Sequence, residues 1–233
     1  LHDCVICCDV AQGSINDDGS DSVAVVYDAL TREKIAQFTS NAVTPEHFAR
    51  IAVAMCRFFA GPRGPSLLNA EVNGPGNAFA HEVIKVLKYM NVWMRRDIRK
   101  KTETKGTIPF WFSSEESKFT LLTAYRVALL EDKIVNRSKT AIMQCSEFIN
   151  HHNLKIEHAK SLKSINPSTQ GEMHGDMVIA DALANLTLED LPATATTASG
   201  SSAIPETSFA ALEKRRLEKE QQQRGSWNWQ TKG

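Results

Sequence analysis

A chain of 233 residues that is 42% hydrophobic and 23% charged carries enough apolar content to bury a core, which excludes a polypeptide disordered throughout. Its 27 basic residues balance 27 acidic ones, so net charge draws it to no polyanion and a nucleic-acid partner must be met by a local basic patch. No stretch is apolar for long enough to span a membrane and no signal peptide is evident; the start at Leu1 rather than Met suggests a fragment cut from something larger.

Cys4 to Cys8 form an apolar run that ends in Asp9 and a Gly-containing turn, the pattern of a buried strand delivering a carboxylate at its mouth. In open α/β sheets ligands gather outside the carboxyl ends of strands, so Asp9 is a candidate metal ligand; capping of the following turn is the competing use. Cys4-x-x-Cys7 has the spacing of half a zinc site, but Cys56 and Cys145 supply no second pair. The five cysteines therefore read as reduced, buried thiols in an intracellular setting. Val23–Tyr27 and Lys34–Thr39 read as the next two strands, joined by short turns into an antiparallel meander. Asp21 opens the second of them and is a further candidate acid, turn formation being its alternative.

Thr44-Pro45-Glu46 marks a helix start, and Phe48, Ile51, Ala52, Met55 and Phe59 recur at helical spacing until Gly61-Pro62. Ser66–Val72 is the fourth strand, and it delivers Glu71 into the glycine-rich loop Asn73–Gly76, as the first strand delivers Asp9. The helix between allows it to lie parallel to the first strand. Asn77–Tyr89 is predicted helical and Val92–Met94 a short strand. Arg95, Arg96, Arg99, Lys100, Lys101 and Lys105 follow as the one clearly basic segment, either a solvated loop or a set of phosphate contacts to nucleic acid. Trp111 and Phe112 read as core anchors rather than base-stacking surfaces.

Helices are predicted over Ser117–Asp132 and Thr140–Asn150, with Leu154–Ala159 in a hairpin or flap. In His174–Leu186, Ile179, Ala182, Leu183 and Leu186 form a stripe that must face the sheet. Asp176 is in phase with that stripe, whereas Asp181 is turned roughly 200° from Ile179 and is expected to face solvent. N-capping is the alternative use of Asp176, and His174 beside it is a candidate ligand or ligand support. From Ala193 the composition turns to Thr, Ala, Ser and Gly, a linker signature. The expected organisation is a domain over residues 1–192 and a flexible tail over 193–233, partly disordered or docked on a partner.

Asp9, Glu71 and Asp176 thus come from two strand ends and one helix start. Three ionised carboxylates a few ångströms apart are unfavourable without cations, and Mg²⁺ or Mn²⁺, which prefer oxygen ligands, resolve this. Two such ions about 3.5–4 Å apart activate water on one side of a phosphodiester and stabilise the leaving oxygen on the other.

The element order resembles the α/β ribonuclease H-like fold, a mixed central sheet of a three-strand meander plus parallel strands, flanked by helices. DVAQG with SDSVAVVYD, then AEVNGPG, KGTIPFWFSSEESKFTLL and HGDMVIADALA resemble the nuclease domain of the large terminase subunit of tailed bacteriophages over about residues 3–190. The resemblance implies a metal-dependent endonuclease that cleaves double-stranded DNA concatemers during packaging. It places the metal-binding catalytic acids at Asp9, Glu71 and Asp176, with Asp21 as a fourth candidate. It also implies two Mg²⁺ or Mn²⁺ ions, portal protein and small terminase subunit as partners, and work at the assembling capsid in the host cytoplasm. No G-x-x-x-x-G-K-[ST] occurs, so no packaging ATPase activity is expected of this chain. The alternatives are another ribonuclease H-like nuclease, acting on branched DNA or RNA–DNA hybrid, and a non-catalytic docking module.

Overall fold

β1 (Cys4–Asp9) is buried on both faces until its last residue, and that burial dictates the architecture. The structure, a computed structural model, describes residues 2–13, 20–95, 107–150, 156–158 and 175–191. β1 pairs antiparallel with β2 (Ser22–Asp28) and parallel with β4 (Leu67–Ala70), while β3 (Lys34–Ser40) closes the meander against β2. The order is β3-β2-β1-β4. Beyond β4 the sheet is extended by single bridges from Val92 to Leu68 and from Trp111 to Glu71. β5 (Met94–Arg95) and β6 (Ile108–Pro109) form a small separate ribbon.

Strand periodicity assigns the two faces. Val5, Cys7, Val23, Val25 and Tyr27 face a cluster shared with α3 (Glu115–Leu130), α4 (Lys139–Cys145) and α5 (Asp176–Glu189). Cys4, Ile6, Cys8, Ala24 and Val26 face α1 (Pro45–Phe58) and α2 (Gly76–His81). Cys4 and Cys7 therefore lie on opposite sides of the sheet. Placed so, they cannot share one zinc ion, and burial pushes both thiols up to about 12.

Helix ends follow local chemistry. Thr44 caps α1 by accepting from the His47 amide, with Pro45 at the first position. Ser114 and Ser117 cap α3 reciprocally, a pairing of the kind worth about 1 kcal/mol. α2 does not run to Tyr89 as its periodicity predicts. It passes into a π-turn over Glu82–Val86, where the Leu87 amide donates to the Glu82 carbonyl five residues back. Glu82 is buried there and pairs with Arg50 at 2.9 Å.

Three further expectations are corrected. The helix predicted over Thr140–Asn150 stops at Cys145, and Phe148–Asn150 instead forms β7, paired with β8 (Ile156–His158) in a hairpin. Trp111 is a core anchor as expected, but Phe112 is 50% exposed with the Arg95 guanidinium 5.2 Å over its ring. Asp181, expected in solvent, is 0% exposed. α5 has no solvent face from Met177 to Asn185. The sheet lies on one side and α3 and α4 on the other, and every residue from Met177 to Asn185 is buried. Asp181 accepts from Tyr27 Oη at 3.0 Å, Lys34 Nζ at 3.0 Å and Asn136 Nδ2 at 2.7 Å. Burial raises its pKa, opposed by the Lys34 ammonium and these hydrogen bonds.

Candidate metal centre

The register of the parallel pair builds the site. Cys8 lies opposite Ala70, and the Glu71 amide donates to the Cys8 carbonyl at 3.0 Å, so Asp9 and Glu71 leave neighbouring strand ends together. Asn69, two residues before Glu71, points to α5, where its Nδ2 donates to Thr187 Oγ1 at 3.0 Å. By strand alternation Glu71 continues that face, and Asp9 continues the face of Val5 and Cys7.

α5 brings the third acid. Its N-cap is Gly175, with no side-chain cap bond, so Asp176 is not the cap of its own helix. Its Oδ2 instead accepts from the Asp21 amide at 2.7 Å, which ties the helix start to the entrance of β2. Asp9, Asp21 and Asp176 line one cleft of about 310 Å³ together with Gln12, Gly13 and Pro75. Gly13 adopts φ +78°, and a Cβ there would meet the Val43 carbonyl oxygen at 2.4 Å, so only glycine suits this wall. At Gly76 a Cβ would stand 2.1 Å from the Glu71 carbonyl oxygen; the missing side chain lets α2 start directly against the residue that carries the second acid.

Charge links the acids across the edge, with Asp9 feeling both of the others. Burial pushes the Asp9 carboxyl well above the usual carboxylate range, and the charges of Glu71 and Asp176 push it further, while Lys118 on α3 opposes them. Burial and Asp176 likewise raise Glu71, against the pull of Lys118 and a hydrogen bond from Ser113. The loop leading into α3 is held on this edge, since Asn73 Nδ2 donates to the Ser113 carbonyl at 2.8 Å and the Ser113 amide donates to Asn73 Oδ1 at 2.7 Å. The donor set is all oxygen, which suits a hard divalent cation rather than zinc. Among the described residues no three His, Cys, Asp or Glu side chains already close on one metal position. Asp9 and Asp176 share the cleft, whereas Glu71 is not among its lining residues and meets them through charge.

This arrangement has a measurable consequence without metal. Because the pKa values of Asp9 and Glu71 are raised in the fold, their contribution to stability is full below about pH 4 and is lost as pH rises through the raised values. In EDTA, Asp9→Asn is expected to melt above the parent chain, by a margin that widens from about pH 4 to about pH 8. Thermal melts across that range check it; a variant that melts lower at neutral pH would mean that the Asp9 carboxylate stabilises the fold.

No protein-family model matches the chain, and no curated protein matches it. Solved structures do. The large terminase nuclease from thermophilic phage G20c superposes with a TM-score of 0.53 at 18% identity, covering 78% of this chain and 81% of that one. The same nuclease with bound magnesium gives 0.51 at 16% identity, over 79% and 82%. The nuclease domain of the large terminase subunit gp2 of bacterial virus Sf6 gives 0.50 at 9% identity, over 79% and 89%. The fold is that of the large terminase nucleases.

Within this terminase-nuclease fold the remaining sequence candidates divide. Asp21 contributes its backbone amide to Asp176 as well as lining the cleft. Arg95 lies over Phe112, while Arg96, Arg99, Lys100, Lys101, Lys105 and His174 fall outside the described residues. Sequence reasoning missed Lys118 and Ser113, whose only signal was the placement of a lysine and a serine around the start of α3. No helix among the described residues is long and apolar enough to cross a membrane.

Proposed function

We propose that this chain is a divalent-metal-dependent endodeoxyribonuclease that cuts double-stranded viral DNA concatemers during genome packaging. What supports the reading is a single arrangement: Asp9 and Asp176 line one cleft at the sheet edge where Glu71 leaves the end of β4, and the charges of Glu71 and Asp176 add to the rise of the Asp9 carboxyl that burial causes. Such mutual repulsion calls for cations at that edge. The shared fold and the magnesium bound by the G20c nuclease support the same chemistry here.

Asp9, Glu71 and Asp176 would hold two Mg²⁺ or Mn²⁺ ions, with Asp21 as a fourth candidate. When bound, the ions supply Lewis acidity at the scissile phosphate and lower the pKa of a bound water. The chain's own contribution is placement. The Asp21 amide orients the Asp176 carboxylate, the Asn73–Ser113 clamp fixes the strand end that carries Glu71, and Lys118 offsets part of the rise that burial and like charge impose on Asp9 and Glu71. The basic residues from Arg95 to Lys105 would contact DNA phosphates without reading sequence. Residues 1–192 form the nuclease domain in this reading, and 193–233 a tail that engages the portal. Work with the small terminase subunit in the host cytoplasm, at the assembling capsid, completes it.

Supercoiled plasmid incubated with the chain in Mn²⁺ or Mg²⁺ is expected to be nicked and linearised, and EDTA to stop this entirely. Plasmid left intact in either metal, with a four-way junction or an RNA–DNA hybrid cut instead, would reassign the substrate; no cutting of any of the three would leave the docking module.

A further inference from the structure

Helices α3 and α5, with Trp111 and Ser114, line an open second pocket of about 350 Å³, which shares no lining residue with the Asp9 cleft. Trp111, Leu121 and Leu186 make its wall apolar, and the exposed residues Glu116 and Glu189 also line it. Asn185 belongs to the same wall and is 1% exposed. Neither its Oδ1 nor its Nδ2 has a hydrogen-bond partner among the described residues. Its neighbours on α5 differ: Asp181 has three side-chain donors, and Thr187 binds Asn69 and the Leu183 carbonyl. A buried carboxamide with both atoms unpaired is unfavourable in a fold, and buried polar groups of native proteins are nearly always satisfied.

The chemistry of what would satisfy it is specific. A carboxamide presents one acceptor and one donor side by side, and its complement is an edge with a donor next to an acceptor, as adenine offers to Asn. The pocket is at the small end of ligand sites and mostly apolar, which suits one planar ring system. Carboxylates at Glu116 and Glu189 repel a phosphate, so the ligand is not an anion, and the apolar wall favours a neutral ring over a cation. Both amide atoms are covered, so binding requires the Asn185 side chain to swing into the pocket that its residue lines.

We propose that the α3–α5 pocket binds a neutral planar heterocycle whose edge carries an N–H donor beside an acceptor, an unphosphorylated purine nucleoside being the class that fits. The site is independent of the metal-centre reading, and its test does not use nuclease activity. Adenosine titrated into the full 233-residue chain is expected to shift the Asn185 side-chain amide signals in ¹H–¹⁵N spectra at about millimolar concentration. N6,N6-dimethyladenosine, which lacks the donor, and AMP, which adds a phosphate, are expected to bind about tenfold more weakly. Asn185→Leu, of similar size, is expected to lose adenosine binding while melting above the parent. Ala124→Trp is expected to fill the pocket from an exposed position on α3 and lose binding too, which decides the matter even where Asn185→Leu folds poorly. Adenosine that fails to shift the parent, or that binds parent and Ala124→Trp alike, overturns the assignment.

Discussion

Replacing Asp9 with Asn is expected to abolish plasmid cutting, lowering the rate about a thousandfold or more in Mn²⁺ or Mg²⁺. The magnitude follows from what is removed. A ligand that fixes a Lewis-acidic ion contributes several kcal/mol of transition-state stabilisation, and about 4 kcal/mol corresponds to three decades at 1.36 kcal/mol each. Asn keeps the size and one oxygen of the carboxylate but not its charge, so the affinity for a hard dication falls with it. A time course of supercoiled, nicked and linear plasmid reads the loss directly, and equal cutting by the two proteins removes Asp9 from the mechanism.

The same substitution separates a catalytic acid from a structural one. Were Asp9 a turn cap, its loss would lower stability along with activity. The raised pKa of its carboxyl, caused by burial and by Glu71 and Asp176, argues the reverse. Inactivation joined to a higher melting temperature in EDTA is the signature of a site that holds like charges together for a ligand, at a cost to the fold. Saturating Mg²⁺ should narrow the difference by stabilising the parent chain, since binding to the folded state alone raises its stability.

How much of this was legible in the sequence depended on whether a residue met one environment or two. Asp9 and Glu71 each end an apolar run beside glycines, so the strands and their acidic mouths could be read directly, and the parallel pairing followed from the length of the connection through α1. Gly76 was legible as part of a loop, though not as the close approach to the Glu71 carbonyl that demands it. Asp181 was misread because the helical period locates a solvent face only where one exists. Its partners Tyr27, Lys34 and Asn136 lie 154, 147 and 45 residues away, and no local pattern connects them. The π-turn after α2 and the strand after α4 were equally hidden, since apolar residues at three- and four-residue spacing do not reveal where a helix changes pitch or stops. Phe112 was read with Trp111 as core, yet adjacent extended residues point to opposite sides, and only Trp111 faces inward.

The buried ion pair beneath α5 carries the other large expected effect. Asp181→Leu is expected to destabilise the chain by about 3–5 kcal/mol, because it strands the Lys34 ammonium in the core and removes an acceptor from Tyr27 and Asn136. For a domain of this size that is a fall in melting temperature of roughly 6–20 °C. Lys34, like Asp181, is almost wholly covered, with side-chain exposures of 4% and 1%, so water cannot take over the role of the missing partner. The double variant Lys34→Met/Asp181→Leu replaces both charges with apolar groups and is expected to recover most of the loss, since the desolvation penalty of the pair disappears with it. Because Lys34 opens β3 opposite Tyr27 on β2, the pair also sets how α5 lies across the meander and hence where Asp176 emerges. The double variant should therefore fold well but cut more slowly than the parent, with weaker Mn²⁺ binding in calorimetry. Urea melts and calorimetry of the three proteins decide the point: a single variant within about 0.5 kcal/mol of the parent would mean that the pair does not hold α5 to the meander, and full activity in the double would mean that the helix finds its register from apolar packing alone.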